Sequence, residues 1–251
     1  MFMPPLFAAF LLLVSPAVGS FLAVLVDRLP RGEDVVRVPS ACRGCKTPLR
    51  VRHLIPVLSF VTQRGRCSYC AAPIPAWLLY IEILAAGAAL LALLAGGAVA
   101  MVLLNVALLW LLIALAASDL LWFRLPDPLT AALALVALLR AAQPGGHGLA
   151  MGLLGALIGM GSFAALRWGY ASLRGRQGLG LGDVKLMAGL GAFAGPWDLP
   201  LLVLVAALLA LSATLWRQYK RGRDIRADLA LPFGGALCTA AALLWLVEPP
   251  L

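Results

Sequence analysis

Charge is what this sequence has least of: 12% of its 251 residues are Asp, Glu, Lys or Arg, against about a quarter in soluble domains. Acids are the scarcer sign, eleven against twenty basic residues. Cysteine occurs five times and histidine twice, too little for a disulfide scaffold. With 63% of residues hydrophobic and a mean hydropathy of +0.96, a water-soluble globule and a disordered chain are both excluded. The chain also lacks a GxSxG elbow, an HExxH helix and a phosphate-cradling loop, which removes the usual footing for serine hydrolase, zinc protease and ATPase chemistry. Neither His53 nor His147 has metal-like spacing. The net charge of +9 does not point to nucleic acid, because no basic, aromatic-interleaved module is present.

What is present is a series of apolar runs, near 5–26, 77–96, 98–117, 129–142, 148–166, 184–196, 199–216 and 230–247. Most approach the 20 or so residues that cross a bilayer as a helix, so the expected class is an all-α polytopic membrane protein with about eight transmembrane or membrane-embedded helices. The fourth and sixth runs are short and predict tilted, kinked or interior helices. The first has no basic stretch ahead of it and reads as a retained anchor. Eighteen of the twenty basic residues fall in four loops, 27–76, 118–128, 167–182 and 217–229, which predicts those loops in the cytoplasm and both termini outside. Gly152, Gly155, Gly159 and Gly161 predict close helix contact in the fifth run.

The one long polar stretch, 27–76, contains Cys42-Arg-Gly-Cys45 and Cys67-Ser-Tyr-Cys70. Each CxxC turn aims two thiolates at one ion, and two turns supply the tetrahedral four-cysteine set of structural Zn2+ sites. The 21 residues between the pairs slightly exceed the usual spacing. In a reducing cytosolic loop a disulfide is the weaker alternative, and redox-active thiols are the other. Four ligands leave no open position, so the metal is a structural tie rather than a catalyst. Cys238, in the last run, reads as a packing residue.

Ionisable groups in or beside a span are costly, and each invites a functional reading. Asp119 closes the third run and Asp183 opens the sixth, 64 residues later, within Gly180-Leu-Gly182-Asp183. Two runs lie between them, so the chain returns to the same face and the two carboxylates can meet there. Two carboxylates a few ångströms apart share a proton; one then acts as base on a water while the other polarises a carbonyl, the chemistry of aspartic proteases. Gly180 and Gly182 would let a substrate strand approach closely. The alternatives are an N-cap role for Asp183 and an end-marker role for Asp119. Asp127, followed by Pro128, reads as an N-cap. Glu82, inside the second run, must face protein or water, as a hydrogen-bonding strut or a ligand contact.

These pieces occur in order with Gly19-Ser-Phe-Leu22, Asp27-Arg-Leu-Pro30, Ile55-Pro-Val-Leu-Ser59, Arg64-Gly-Arg-Cys67, Leu125-Pro-Asp127, Gly180-Leu-Gly-Asp-Val-Lys-Leu186 and Pro232-Phe-Gly234. The set resembles the bacterial type IV prepilin peptidases, membrane aspartic proteases of the GxGD type, over nearly the full chain. The resemblance implies that Asp119 and Asp183 are the catalytic pair, and that the substrates are type IV prepilins or type II secretion pseudopilins. Their basic leader would be cut at the cytoplasmic face of the bacterial inner membrane. It further implies N-methylation of the new N-terminus with S-adenosylmethionine, linked to the region holding the four cysteines, with Glu82 in the cofactor region. Ala23 and Leu54 stand where family members often have Asn, both in that methylation-linked part. The domain division that follows is 1–26 as first transmembrane helix, 27–76 as the cytoplasmic zinc-binding region, and 77–251 as the membrane-embedded peptidase. The rival functions are a GxGD intramembrane protease of other substrates, which would not need the cysteines, and a non-catalytic pilin or secretion-system assembly factor, which would not need the acids.

Overall fold

The computed structural model describes residues 4–175, 178–221 and 231–247. Parts of two basic loops, 176–177 and 222–230, lie outside the described residues. Among the described residues there is no β-strand, only the isolated bridges Ala41–Pro48 and Arg66–Pro73. The helices are α1 (Pro5–Arg28), α2 (Leu58–Thr62), α3 (Ala76–Ala95), α4 (Val99–Trp122), α5 (Asp127–Ala141), α6 (Leu149–Arg174), α7 (Leu181–Arg221) and α8 (Phe233–Val247). Five of them are long and apolar enough to cross a bilayer, making this a multi-pass membrane protein. Leu6, Leu13, Leu157, Leu204 and Leu208 are exposed on their surfaces, as lipid-solvated side chains are.

The expected helices form, with one difference. The sixth and seventh runs form the two helices expected, but they meet at Gly195, which adopts φ +68, with no loop between them, and α7 denotes both. A β-carbon is disfavoured there, and Pro196, next in line, has no N–H to carry the helical ladder across. The break marks where the two runs divide, without an intervening loop. The fourth run is short in the structure too, 15 residues as α5.

The chain forms two compact units, one up to Ala114 and one from Leu115, with the boundary inside α4. In the first, α1 packs on α3 at Gly19, where an added Cβ would sit 2.8 Å from both Ala85 Cβ and Glu82 Cα. The turn after α1 is held by Arg28, buried to 8% exposure, whose guanidinium donates to the carbonyls of Asp34, Val35, Val38 and Pro39.

In the second unit α6 lies along the first half of α7. Gly152, Gly155 and Gly159 face it, and a Cβ on Gly155 would run into the Gly191 carbonyl. Gly161 meets nothing within 4 Å, because two residues on from Gly159 the helix has turned about 200° and presents its other side. At Gly195 the far end of this contact is closed by His147, 3.5 Å from where a Cβ would stand, and by Arg140 over the Phe193 ring at 5.0 Å. Burial pushes the His147 imidazole below its ordinary pKa.

The contact predicts its own test. Gly155→Leu forces α6 off α7 and costs about 1–3 kcal/mol of stability, as overpacking does, whereas Gly161→Leu is tolerated; thermal unfolding of both variants in detergent measures the difference.

Candidate active site and metal centre

Asp119 sits in the last turn of α4, which stops at Phe123, a residue held at φ +52. Ser118 secures the exit by donating its hydroxyl to the Arg124 carbonyl at 2.7 Å. The chain then passes Leu125 and Pro126 and starts α5. Asp183 stands in the first turn of α7, and α8 begins at Phe233, directly after Pro232. The N–H groups of a helix's first turn have no intrahelical partner, and they attract anions. Here the Gly235 N–H donates to Asp119 Oδ2 at 2.7 Å, while the Gly180 N–H hydrogen bonds to the Asp183 carboxylate.

Gly234 shows where the two acids meet. A Cβ there would lie 2.8 Å from Leu125 Cδ1, 3.1 Å from Asp183 Oδ1 and 3.2 Å from Asp119 Cγ, so both carboxyl groups border one point where only a glycine fits. Asp119 is 6% exposed. The structure thus brings together the two acids singled out in the sequence, on elements 64 residues apart.

Gly180 and Gly182 sit beside them for reasons of space rather than dihedral freedom, since neither has a left-handed φ. A Cβ on Gly180 would come 3.3 Å from Asp183 Oδ2. Gly182 leaves room for Leu125, whose Cβ would be 3.0 Å away, and the same leucine's Cδ1 fills the space at Gly234. The room at Gly182 is therefore occupied by the protein's own side chain.

Two contacts that sequence reasoning missed hold this arrangement. Asp127 is not an N-cap: Pro126 takes that position without a side-chain bond, and the Asp127 carboxylate receives Lys185 Nζ on both oxygens, at 2.7 and 2.8 Å. The pair ties the start of α5 to the start of α7, two residues beyond Asp183. Arg167 of α6, 8% exposed, donates to the Leu179 carbonyl and holds the approach to Gly180. A lysine two residues past an acid carries no sequence signal for a partner 58 residues away. Arg167, one residue past the 148–166 run, counted with the basic loop 167–182, so its burial carried no signal either. Cys238 is buried in α8, as expected of a packing residue.

In the first unit the two CxxC turns are built alike. Cys42 N–H donates to the Thr47 carbonyl and Cys67 N–H to the Ala72 carbonyl, at 3.0 and 2.9 Å. Each turn closes through a left-handed residue just after its second cysteine, Lys46 at φ +60 and Ala71 at φ +56. The four Sγ atoms lie within 4.8 Å of one another, and Cys42 and Cys70 are 3.7 Å apart. A tetrahedral ion with metal–sulfur bonds of about 2.3 Å requires edges of about 3.8 Å, so the tetrad fits such an ion. Thr47, through its hydroxyl and N–H, lowers the Cys45 thiol to about 6, towards the thiolate a metal needs. Asp27 accepts from Arg43, inside the first turn, and from Arg31, each at 2.7 Å, which anchors the cage to the end of α1.

Glu82 lies in α3, where its Oε2 accepts from the Val57 N–H at 2.8 Å, a strut between α3 and the loop. His53 packs edge-on against Tyr69, with ring centroids 5.7 Å apart.

The chain is similar in sequence to known proteins. Residues 13–95 match the family model described as "Bacterial Peptidase A24 N-terminal domain", and residues 106–215 match "Type IV leader peptidase family". The "Prepilin leader peptidase/N-methyltransferase" of Aeromonas hydrophila is 34% identical over 277 residues, covering 97% of this chain and 92% of its own length. The protein of the same name from Dichelobacter nodosus is 34% identical over 271 residues, covering 96% and 92%. That of Burkholderia pseudomallei (strain 1026b) is 36% identical over 263 residues, covering 93% and 83%. No solved structure matches the chain.

The tetrad predicts one tetrahedral divalent ion per chain. Loading with Co2+ gives the visible absorption of a thiolate-ligated tetrahedral ion, and Cys67→Ser abolishes it together with the protease resistance of the 27–76 loop.

Proposed function

The chain belongs to the type IV leader peptidase family, and on that premise we propose that it is a membrane aspartic endopeptidase that removes the basic leader from type IV prepilins or pseudopilins. The observation that carries this reading is the convergence of Asp119 and Asp183 on Gly234. Hydrolysis needs a water made nucleophilic and a carbonyl made electrophilic at the same moment. One carboxylate takes a proton from water as its oxygen bonds to the scissile carbonyl carbon. The other, protonated, hydrogen bonds to the carbonyl oxygen as the electron pair moves onto it. When the tetrahedral centre collapses, the C–N bond breaks and the leaving nitrogen carries away a proton from the pair. The N–H groups of Gly235 and Gly180 orient the two carboxyls without neutralising them.

The distribution of basic residues supports a bacterial inner-membrane location with this site at the cytoplasmic face. A substrate with a basic leader and an apolar helix suits that position: the leader stays in water while the helix lies in lipid. Zn2+ is the ion the four-cysteine cage takes, and it serves as a structural tie, since four thiolates leave no place for a substrate.

The relatives' name includes N-methyltransferase, and we assign this chain the same second activity. The methyl donor is S-adenosylmethionine, which supplies an electrophilic methyl group on a sulfonium. The unit up to Ala114 is where that chemistry belongs, with Glu82 in its cofactor region.

The test is to incubate wild type, Asp119→Asn and Asp183→Asn in membranes with a prepilin and S-adenosylmethionine, and to weigh the product. Wild type yields a pilin without its leader and bearing one added methyl group. Either Asn variant leaves the leader in place, with cleavage reduced by about 10⁴-fold or more, as expected when one member of an acid–base pair is lost. Uncut prepilin with wild type, or cleavage by both variants, contradicts the reading.

A further inference from the structure

The segment 50–66, between the two CxxC turns, carries four arginines and no acid. Arg50, Arg52, Arg64 and Arg66 are exposed, and none of them makes an ion pair among the described residues, whereas Arg31, Arg37 and Arg43 of the same loop are paired with Asp27, Glu33 or Asp34. Between these free cations aliphatic side chains face outward. Val51 is 83% exposed, and Leu58 and Val61, one turn apart on α2, are 61% exposed each. Exposed aliphatic groups flanked by unpaired cations are what a segment lying in a membrane interface requires. A second observation sets the height of this segment. Val57 donates its N–H to Glu82 at 2.8 Å, and Glu82 stands in the second turn of α3, about 9 Å along the axis from Ala76. Tyr80, exposed two residues earlier, is the kind of side chain that marks the headgroup level of a crossing helix. The Glu82 bond therefore holds Val57, and Leu58 after it, beside the membrane rather than out in water. Val57 takes φ +61 in doing so, a conformation that β-branched residues avoid.

We propose that residues 50–66 are seated in the headgroup layer of the bilayer, with Val51, Leu58 and Val61 among the upper acyl carbons and the four arginines on the phosphates of anionic lipids. Charge chooses the partner. The basic leader of the proposed substrate is repelled by these arginines, and an apolar peptide leaves them without counter-charge. A leaflet containing anionic lipid satisfies both halves of the surface. The polar loop between α1 and α3 is thereby tied down at its middle, between its two metal-cage turns.

The experiment is amide hydrogen exchange, read by mass spectrometry, on the full-length protein in nanodiscs of phosphatidylcholine alone or mixed with phosphatidylglycerol. In the mixed discs the peptide covering 50–66 exchanges about tenfold more slowly than in phosphatidylcholine, a modest part of what four surface arginines can supply. Added salt removes the difference, because exposed charges are screened. The combined variant Arg50→Gln, Arg52→Gln, Arg64→Gln and Arg66→Gln exchanges alike in both discs, while Leu58→Ser with Val61→Ser exchanges faster than wild type in both. Cobalt absorption of the four-cysteine cage shows that each variant still folds, and the salt dependence of wild type needs no variant at all. Equal exchange of wild type in the two discs, or a difference that survives both salt and loss of the four arginines, overturns the assignment. So does protection of 50–66 that arises only when a prepilin is added, since the surface then serves a peptide.

Discussion

Everything about the proposed chemistry depends on one crowded point at the start of α8. Two carboxyl groups, from the end of α4 and the beginning of α7, close on Gly234 so tightly that a single added carbon would touch both. Such an encounter is unfavourable unless other contacts enforce it, because like charges repel and burial strips their water. The enforcing contacts are visible: backbone N–H groups on each acid, Leu125 wedged against Gly182 and Gly234, and the Asp127–Lys185 pair joining α5 to the helix that carries Asp183. That pair is half-exposed and worth about 1 kcal/mol or less in stability. What it supplies is register between α5 and α7.

The two units answer different physical problems. The second has lipid for a solvent and uses glycines to bring α6 and α7 into contact, since helices in lipid gain from close packing rather than from hiding apolar surface. The 27–76 loop of the first unit is too polar to build a core. It is held instead by Arg28 gathering carbonyls, by Asp27 bridging two arginines and by a cage of four thiolates shaped for a metal. On the cavity beside that cage, His53 Nδ1 is buried without a hydrogen-bond partner.

The sequence was most legible where one constraint dominates. Lipid demands long apolar helices, so the runs could be read directly, and a metal cage demands CxxC turns, so the tetrad could be read too. The meeting of Asp119 with Asp183 was legible as a possibility because an even number of crossings returns the chain to one face. What escaped were features set by tertiary contact. Asp127 looked like a cap because the local pattern favours one, but Lys185, 58 residues on, claims its carboxylate. Gly182 looked like an opening and is filled by Leu125. Lys46 and Ala71 take left-handed turns that their residue types do not announce. The break at Gly195 was visible as two separate runs, but that no loop divides the two helices was not.

The claim that the acids work as a close pair is tested most directly at Gly234. The measurement is kcat for leader removal by Gly234→Ala, made on protein that retains its metal and its unfolding temperature. A methyl group at that point presses on Leu125 Cδ1 at 2.8 Å and on both carboxyl groups at 3.1 and 3.2 Å, so the acids shift by tenths of an ångström; with a misplacement of about 1 Å costing about 100-fold in rate, such a shift costs about tenfold. The account predicts a fall of that size with KM little changed; wild-type kcat would contradict it.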